Sequence, residues 1–278
     1  MKVPIAVRAL PAGALEAWFT PPQLSAKRAA ADARALAGVE PLSIPFADGV
    51  LHGFEVGTGP LVVLAHGWGG RAAQMLPLAT GIAERGVRVV ALDLPGHRGG
   101  TETDVKAVAG ALTAVVDEIG PPRGLVAHSL GAMAARLAFR EWAPPRVVLV
   151  APLLVVNDAL DVFSTRARLL PWADRGLRKG LRSWDPVLYP WLDDLATDQL
   201  PGAEVLILHD PDDSDTPFSR SAELAARRDR TEIVPTHHLG HTGALADPAA
   251  IELVGAYLIG SGPRSNRAGG RPVPSTVG

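Results

Sequence analysis

Two patterns of apolar and polar positions alternate along the chain. Short, nearly continuous apolar runs occur at Leu61-Val62-Val63-Leu64-Ala65, Val87-Arg88-Val89-Val90-Ala91-Leu92, Gly124-Leu125-Val126-Ala127 and Val147-Val148-Leu149-Val150. Runs of this kind predict strands buried on both faces of a parallel sheet. Between them, residues 72–85, 103–118 and 130–142 are longer, rich in Ala and Leu, and carry apolar residues at helical spacing. The alternation predicts βαβ units and an α/β fold with a mostly parallel, doubly wound sheet and helices on both faces. After Ala151 the rhythm breaks. Residues 153–200 contain Trp172, Trp184, Trp191, Pro186 and Pro190 but no buried-strand pattern, and are expected to form a helical insertion. The strand pattern resumes at Val205-Leu206-Ile207-Leu208 and Glu232-Ile233-Val234, and a last amphipathic stretch runs from about Pro248 to Ile259.

The ends differ from this core. Residues 1–40, rich in Ala and Arg with Pro21-Pro22, predict one or two short helices leading into the domain, and the pattern of short β-branched runs begins near Leu42. Residues 260–278 are rich in Gly, Pro, Ser and Arg without apolar periodicity and read as a disordered tail. The organisation expected is one α/β core, 41–152 and 201–259, interrupted by the helical segment 153–200.

Composition narrows the chemistry. With 278 residues and 0 cysteines, the chain is long enough to build a core without disulfides, and any nucleophile must be an oxygen or a nitrogen. A net charge of −2 provides no field that favours nucleic acid. The most apolar run, Val147 to Val156, falls well short of the roughly 20 residues a membrane-spanning helix needs. The start at Met1 has no continuous apolar h-region, so no signal peptide is expected and a cytoplasmic setting is the default. No His-x-His or His-x3-His spacing points to a metal, and no cofactor is expected.

The candidate chemistry lies at the ends of the predicted strands. The run ending at Ala127 feeds into His128-Ser129-Leu130-Gly131 and then a helical pattern. A strand–turn–helix with small residues two places before and after a serine matches the nucleophile elbow G-x-S-x-G, with Ala127 in place of the first glycine. Ser129 is therefore the candidate nucleophile. His66-Gly67-Trp68-Gly69-Gly70 follows another predicted strand and precedes a predicted helix. Together these segments resemble the α/β-hydrolase superfamily, and its serine esterases in particular. The resemblance implies that the backbone N–H groups of Trp68 and Leu130 form an oxyanion hole, that the insertion is a lid, and that Asp93-Leu94-Pro95-Gly96-His97 is a structural turn.

A serine hydroxyl needs an imidazole to take its proton and a carboxylate to orient that imidazole, and in this superfamily they follow in the order Ser, acid, His. The segment His209-Asp210-Pro211-Asp212-Asp213-Ser214-Asp215-Thr216-Pro217 is similar to the family pattern H-G-x-x-D-x-x-V-P, which selects Asp213; Asp210 replaces the usual glycine and is the rival acid. Leu239-Gly240-His241, ahead of a helix, resembles the family's G-H loop and makes His241 the base, while His237 and His238 read as surface groups and His66 and His128 as supporting donors. The implied activity is hydrolysis of a small-molecule carboxylic ester, or a thioester, through an acyl-enzyme. The same triad also serves amide or carbon–carbon hydrolysis, acyl transfer and perhydrolysis, and the scaffold also hosts non-catalytic binding proteins. The His-Gly-Trp-Gly segment occurs in carboxylesterases that demethylate a carrier-protein ester, but their elbow usually keeps its first glycine, so the similarity does not extend to a substrate.

Overall fold

Short apolar runs in this chain become parallel strands because each offers β-branched or aliphatic side chains to both faces at once. The computed structural model describes residues 11–47, 49–195 and 200–260. Eight strands form one sheet: β1 (Glu40–Phe46), β2 (Gly49–Val56), β3 (Leu61–Ala65), β4 (Arg88–Leu92), β5 (Gly124–His128), β6 (Arg146–Val150), β7 (Glu204–His209) and β8 (Thr231–Pro235). Their spatial order is β1-β2-β4-β3-β5-β6-β7-β8. β1 pairs with β2, and β2 with β4, in antiparallel fashion, whereas every pair from β4 to β8 is parallel.

The strand faces alternate as the pattern requires. Val63, Ala65, Val147 and Leu149 point to one core, shared with α4 (Val105–Ile119) and α5 (Leu130–Ala138). Val62, Leu64, Val148 and Val150 point to the other, shared with α3 (Leu76–Ala83) and with α10 (Pro248–Ile259), the helix after α9 (Phe218–Arg227). Two helix lengths differ from the sequence reading. The stretch 72–85 opens as a 3-10 turn at Ala72–Met75 before α3. α5 ends at Ala138 rather than continuing to 142, where Phe139 turns into the core and packs edge-on against Trp142 at 5.2 Å.

Between β6 and β7 the chain leaves the sheet for α6 (Val156–Ala167), α7 (Pro171–Trp184) and α8 (Leu188–Leu192). Both roots of this excursion are gripped by one buried side chain: the guanidinium of Arg136 on α5 donates to the carbonyls of Leu154 and Asp194. Burial lowers its pKa to about 10, which leaves it charged at neutral pH. Helices α1 (Pro11–Phe19) and α2 (Ala26–Ala35) precede the sheet. They do more than lead into the domain. Ala14 of α1 is fully buried in a third apolar cluster with Leu160, Leu177 and Leu181 of the excursion. Of the tail expected at 260–278, all but Gly260 lies outside the described residues.

Candidate active site

Parallel strands direct their carboxyl ends, and the loops that follow them, to one edge of the sheet. Strand order reverses on either side of β3, since β4 lies to one side of it and β5 to the other. In such sheets the crevice at the reversal is where ligands bind. The loop after β3 and the elbow after β5 therefore stand side by side, with Ala65 directly opposite Ala127.

Ser129 sits at the tip of that elbow with φ 52 and ψ −119, a backbone conformation that a non-glycine residue rarely adopts. The conformation is held from three sides. Ser129 N–H donates to Val150 C=O (3.1 Å), and Ser129 C=O accepts from Ala132 N–H (2.9 Å) and Leu153 N–H (3.1 Å). Small neighbours make it possible: a Cβ on Gly131 would stand 2.6 Å from Ala65 O, and one on Gly67 would stand 2.7 Å from Ser129 Cβ. Ala127, the departure from the elbow pattern, is fully buried opposite the equally small Ala65, and the extra methyl is accommodated there.

The serine, aspartate and histidine selected from sequence come together. His241 Nε2 accepts from Ser129 Oγ–H at 3.0 Å, and His241 Nδ1–H donates to Asp213 Oδ2 at 2.8 Å. Asp213 is a buried carboxylate surrounded by donors. Its Oδ1 accepts from Asp215 N–H (2.7 Å) and Thr216 N–H (3.2 Å), and its Oδ2 accepts from Thr216 Oγ1–H (2.9 Å). His209 Nε2 lies 3.3 Å from the same oxygen, while His209 Nδ1 accepts from Ser221 Oγ–H at 2.7 Å. Burial alone would raise the Asp213 pKa, but the hydrogen bonds from His209, His241 and the Asp215 backbone outweigh it and hold the carboxyl far below the usual carboxylate range.

The rival Asp210 has a different task. Its Oδ2 accepts from Leu239 N–H (2.7 Å) and Gly240 N–H (2.9 Å), and its Oδ1 from Asp212 N–H (3.0 Å). It ties the loop bearing His241 to the end of β7. The side chain that replaces the usual glycine thus spans the gap between the acid loop and the base loop.

The loop 66–70 is held with equal care. His66 is fully buried and accepts from Leu94 N–H through Nε2 (3.0 Å) while donating from Nδ1 to Gly67 C=O (2.8 Å). Its pKa falls to about 3, first because burial disfavours the charged form and then because His97 lies close. His97 packs edge-on against both His66 (4.9 Å) and Trp68 (5.3 Å), and Asp93 Oδ1 accepts from Ala72 N–H at 2.7 Å. The Asp93–His97 turn therefore buttresses this loop. Among the described residues no hydrogen bond engages the N–H of Trp68 or of Leu130, the first residue of α5.

His128, inside the elbow, donates from Nε2 to His241 C=O at 2.8 Å, and its ring lies 4.8 Å from that of His241. Its Nδ1 is buried without a partner among the described residues. Burial, then the nearby His241, lowers its pKa to about 4. The sequence pointed to His66 and His128 only by position. His209, Thr216 and Asp210 as supports of the Asp213–His241 pair carried no separate signal.

Above Ser129 and His241 lies a cavity of about 600 Å3 whose walls include Leu130, Met133, Leu153, Val156, Phe163 and Trp184. Among the aromatic side chains of the excursion, Trp184, Tyr189 and Phe163 line it and Trp172 and Trp191 do not. Trp172 is exposed, and Trp191 packs within the apolar cluster of the excursion beneath the Arg136 guanidinium. Among the described residues no group of three or more His, Asp or Glu side chains is arranged to hold a metal ion, and no helix is long and apolar enough to cross a membrane.

A doubly wound sheet with a serine on a strained elbow, facing a histidine from a later loop, defines the α/β-hydrolase class. Residues 62–264 match the model of the alpha/beta hydrolase family, and the chain belongs to that family. A protein phosphatase methylesterase of Bos taurus is 31% identical over 137 residues, covering 45% of this chain and 35% of that protein; its Mus musculus counterpart matches equally. The chain thus spans about a third of the length of the curated relatives it matches. Among solved structures, a Pyrococcus furiosus esterase superposes with a TM-score of 0.62 at 18% identity, over 82% of this chain and 94% of that one. A 2-hydroxy-6-oxo-6-phenylhexa-2,4-dienoate hydrolase from Rhodococcus gives 0.58 at 20% identity, over 80% and 99%. A monoacylglycerol lipase of Paleococcus ferrophilus gives 0.57 at 20% identity, over 74% and 97%. At these identities the likeness is one of fold.

Proposed function

We propose that the chain hydrolyses a small-molecule carboxylic ester, or a thioester, through an acyl-enzyme on Ser129. The observation that carries the reading is the continuous line Ser129 Oγ, His241 Nε2, His241 Nδ1 and Asp213 Oδ2, with separations of 3.0 and 2.8 Å, under an apolar cavity. Ser129 Oγ attacks the ester carbonyl carbon while His241 Nε2 takes its proton, and Asp213 orients and stabilises the imidazolium. The carbonyl oxygen, now negative, is received by the N–H groups of Trp68 and Leu130, each worth roughly 3 kcal/mol of transition-state stabilisation. His241 returns the proton to the leaving alcohol, or to the thiol when the substrate is a thioester. Water then attacks the acyl-enzyme by the same route and releases the acid.

In this reading the helices α6–α8 are a lid over the core, no cofactor takes part, and the reaction runs in the cytoplasm. The free N–H groups beside Ser129 support acyl chemistry, and the methylesterase likeness favours an ester within it. The test is hydrolysis of p-nitrophenyl esters from acetate to long acyl chains by wild type and Ser129→Ala. Loss of the nucleophile is expected to lower turnover on the order of 10⁶-fold. Activity that survives the substitution overturns the assignment.

A further inference from the structure

The segment that matches the family begins at residue 62, so helices α1 and α2 lie outside it. Nevertheless they reach the pocket from three directions. First, α1 lies on α7 of the excursion. Gly180 permits the approach, since a Cβ there would stand 2.9 Å from Leu15 Cδ1. Trp18 meets the edge of Phe163 at 5.4 Å, and Phe19 meets Trp184 at 5.2 Å. Second, the carbonyl of Phe19 accepts from Thr103 N–H at 2.8 Å, just before α4. Third, the chain passes over the loop that carries Trp68: a Cβ on Gly69 would stand 2.9 Å from Pro22 Cγ, and Arg71 Nε donates to Asp32 on α2 at 2.5 Å.

Trp18, Phe19 and Pro22 line the same cavity as Ser129 and His241. We propose that residues 14–32 form a strap joining the excursion to the loop of Trp68, and that Trp18 and Phe19 are specificity-determining residues that limit the hydrocarbon chain of the substrate. Each methylene that enters an apolar cavity adds to binding until the chain meets a wall, and one more then forces overpacking. The two rings make a firm wall because each is held edge-on or tilted against a second aromatic ring as well as by the main chain at Phe19. The proposal rests on the ester reading only for the identity of the bond that is cleaved.

The test compares wild type with Trp18→Ala and Phe19→Ala in two assays: p-nitrophenyl esters of increasing acyl length, and inactivation of Ser129 by alkyl fluorophosphonates of the same lengths. The expected result is an optimum moved to longer chains, with the long-to-short rate ratio raised about 10-fold or more. An unchanged ratio in both assays overturns the wall. If the alanine variants do not fold, Trp18→Phe and Phe19→Leu decide: a smaller shift in the same direction supports the wall, and no shift overturns it. A wild type that is labelled but cleaves no ester breaks the ester reading alone, and the labelling ratios of the variants then decide the wall: a raised ratio supports it and an unchanged one overturns it. A wild type labelled at no length overturns both.

Discussion

The carboxyl edge of the sheet and the helical cap above it are built by different means. At the sheet edge the main chain does most of the placing. Ser129 is fixed by hydrogen bonds to Val150, Ala132 and Leu153, Asp213 by the N–H groups of Asp215 and Thr216, and the His241 loop by its own N–H groups on Asp210. The cap is placed by side chains. Arg178 holds Asp161, Asp174 and Asn157 together, Arg220 reaches up to Asp158, and Arg166 pairs with Asp215. The lesson is a division of labour: main-chain anchoring fixes Ser129, Asp213 and the His241 loop, and side-chain pairs place the helices that cover them.

This contrast can be broken most sharply at Ser129, the proposed nucleophile, where Ser129→Ala is expected to abolish turnover while thermal unfolding of the protein stays cooperative. Next, the two aspartates of the acid loop separate by role. Asp213→Asn leaves the wrong partner for the imidazole and is expected to lower kcat on the order of 10⁴-fold. Asp210→Ala only loosens the loop of His241, and a displacement of that kind costs about 10²-fold. Equal losses in ester kinetics would show that Asp210 does more than position.

A third expectation concerns acid. His128, with its pKa lowered to about 4, stays neutral in the fold while the unfolded chain takes up a proton below about 6.5. The unfolded state then binds more protons, so stability falls as pH falls from about 6.5 to about 4, by on the order of 3 kcal/mol from this residue. Asp213, with its depressed pKa, adds to the loss only below the ordinary carboxylate value. His66, lowered to about 3, adds a loss of the same sign over this range, so His128→Gln should reduce but not abolish the decline read from urea unfolding at pH 7 and 4.5; an unchanged slope would refute a neutral buried His128. The smallest effect belongs to the cap. Arg178→Ala, at a partly exposed network, is expected to cost about 1 kcal/mol in the same unfolding assay. A loss of several kcal/mol would mean that the cap is as integral to stability as the sheet.

Legibility follows the same division. The buried parallel strands announce themselves because both faces are apolar, and Ser129, Asp213 and His241 follow because each lies just beyond such a strand or in a glycine-bearing loop. β1 shows only as the onset of the pattern near Leu42. It carries Pro41 and Pro45 and alternates exposed with half-buried or buried positions, which an edge strand tolerates because one side of its backbone pairs with no strand among the described residues. The association of α1 with α7 was also hidden, since contact between helices so distant in sequence depends on Gly180 and Leu15 meeting in three dimensions. The tasks of His209 and Asp210 leave no pattern either, because a supporting hydrogen bond needs only a polar side chain at the right place.

Arg136 gives the excursion a property of its own. Because one guanidinium clasps both Leu154 and Asp194, the helices between them are, in polymer terms, a closed loop whose ends are already pinned together. The entropy of closing such a loop grows only with the logarithm of its length, about 0.6 kcal/mol for each doubling. By this entropic measure alone, the cap can be lengthened or shortened between its two pinned ends at small cost, so long as Leu153 keeps its hydrogen bond to the serine.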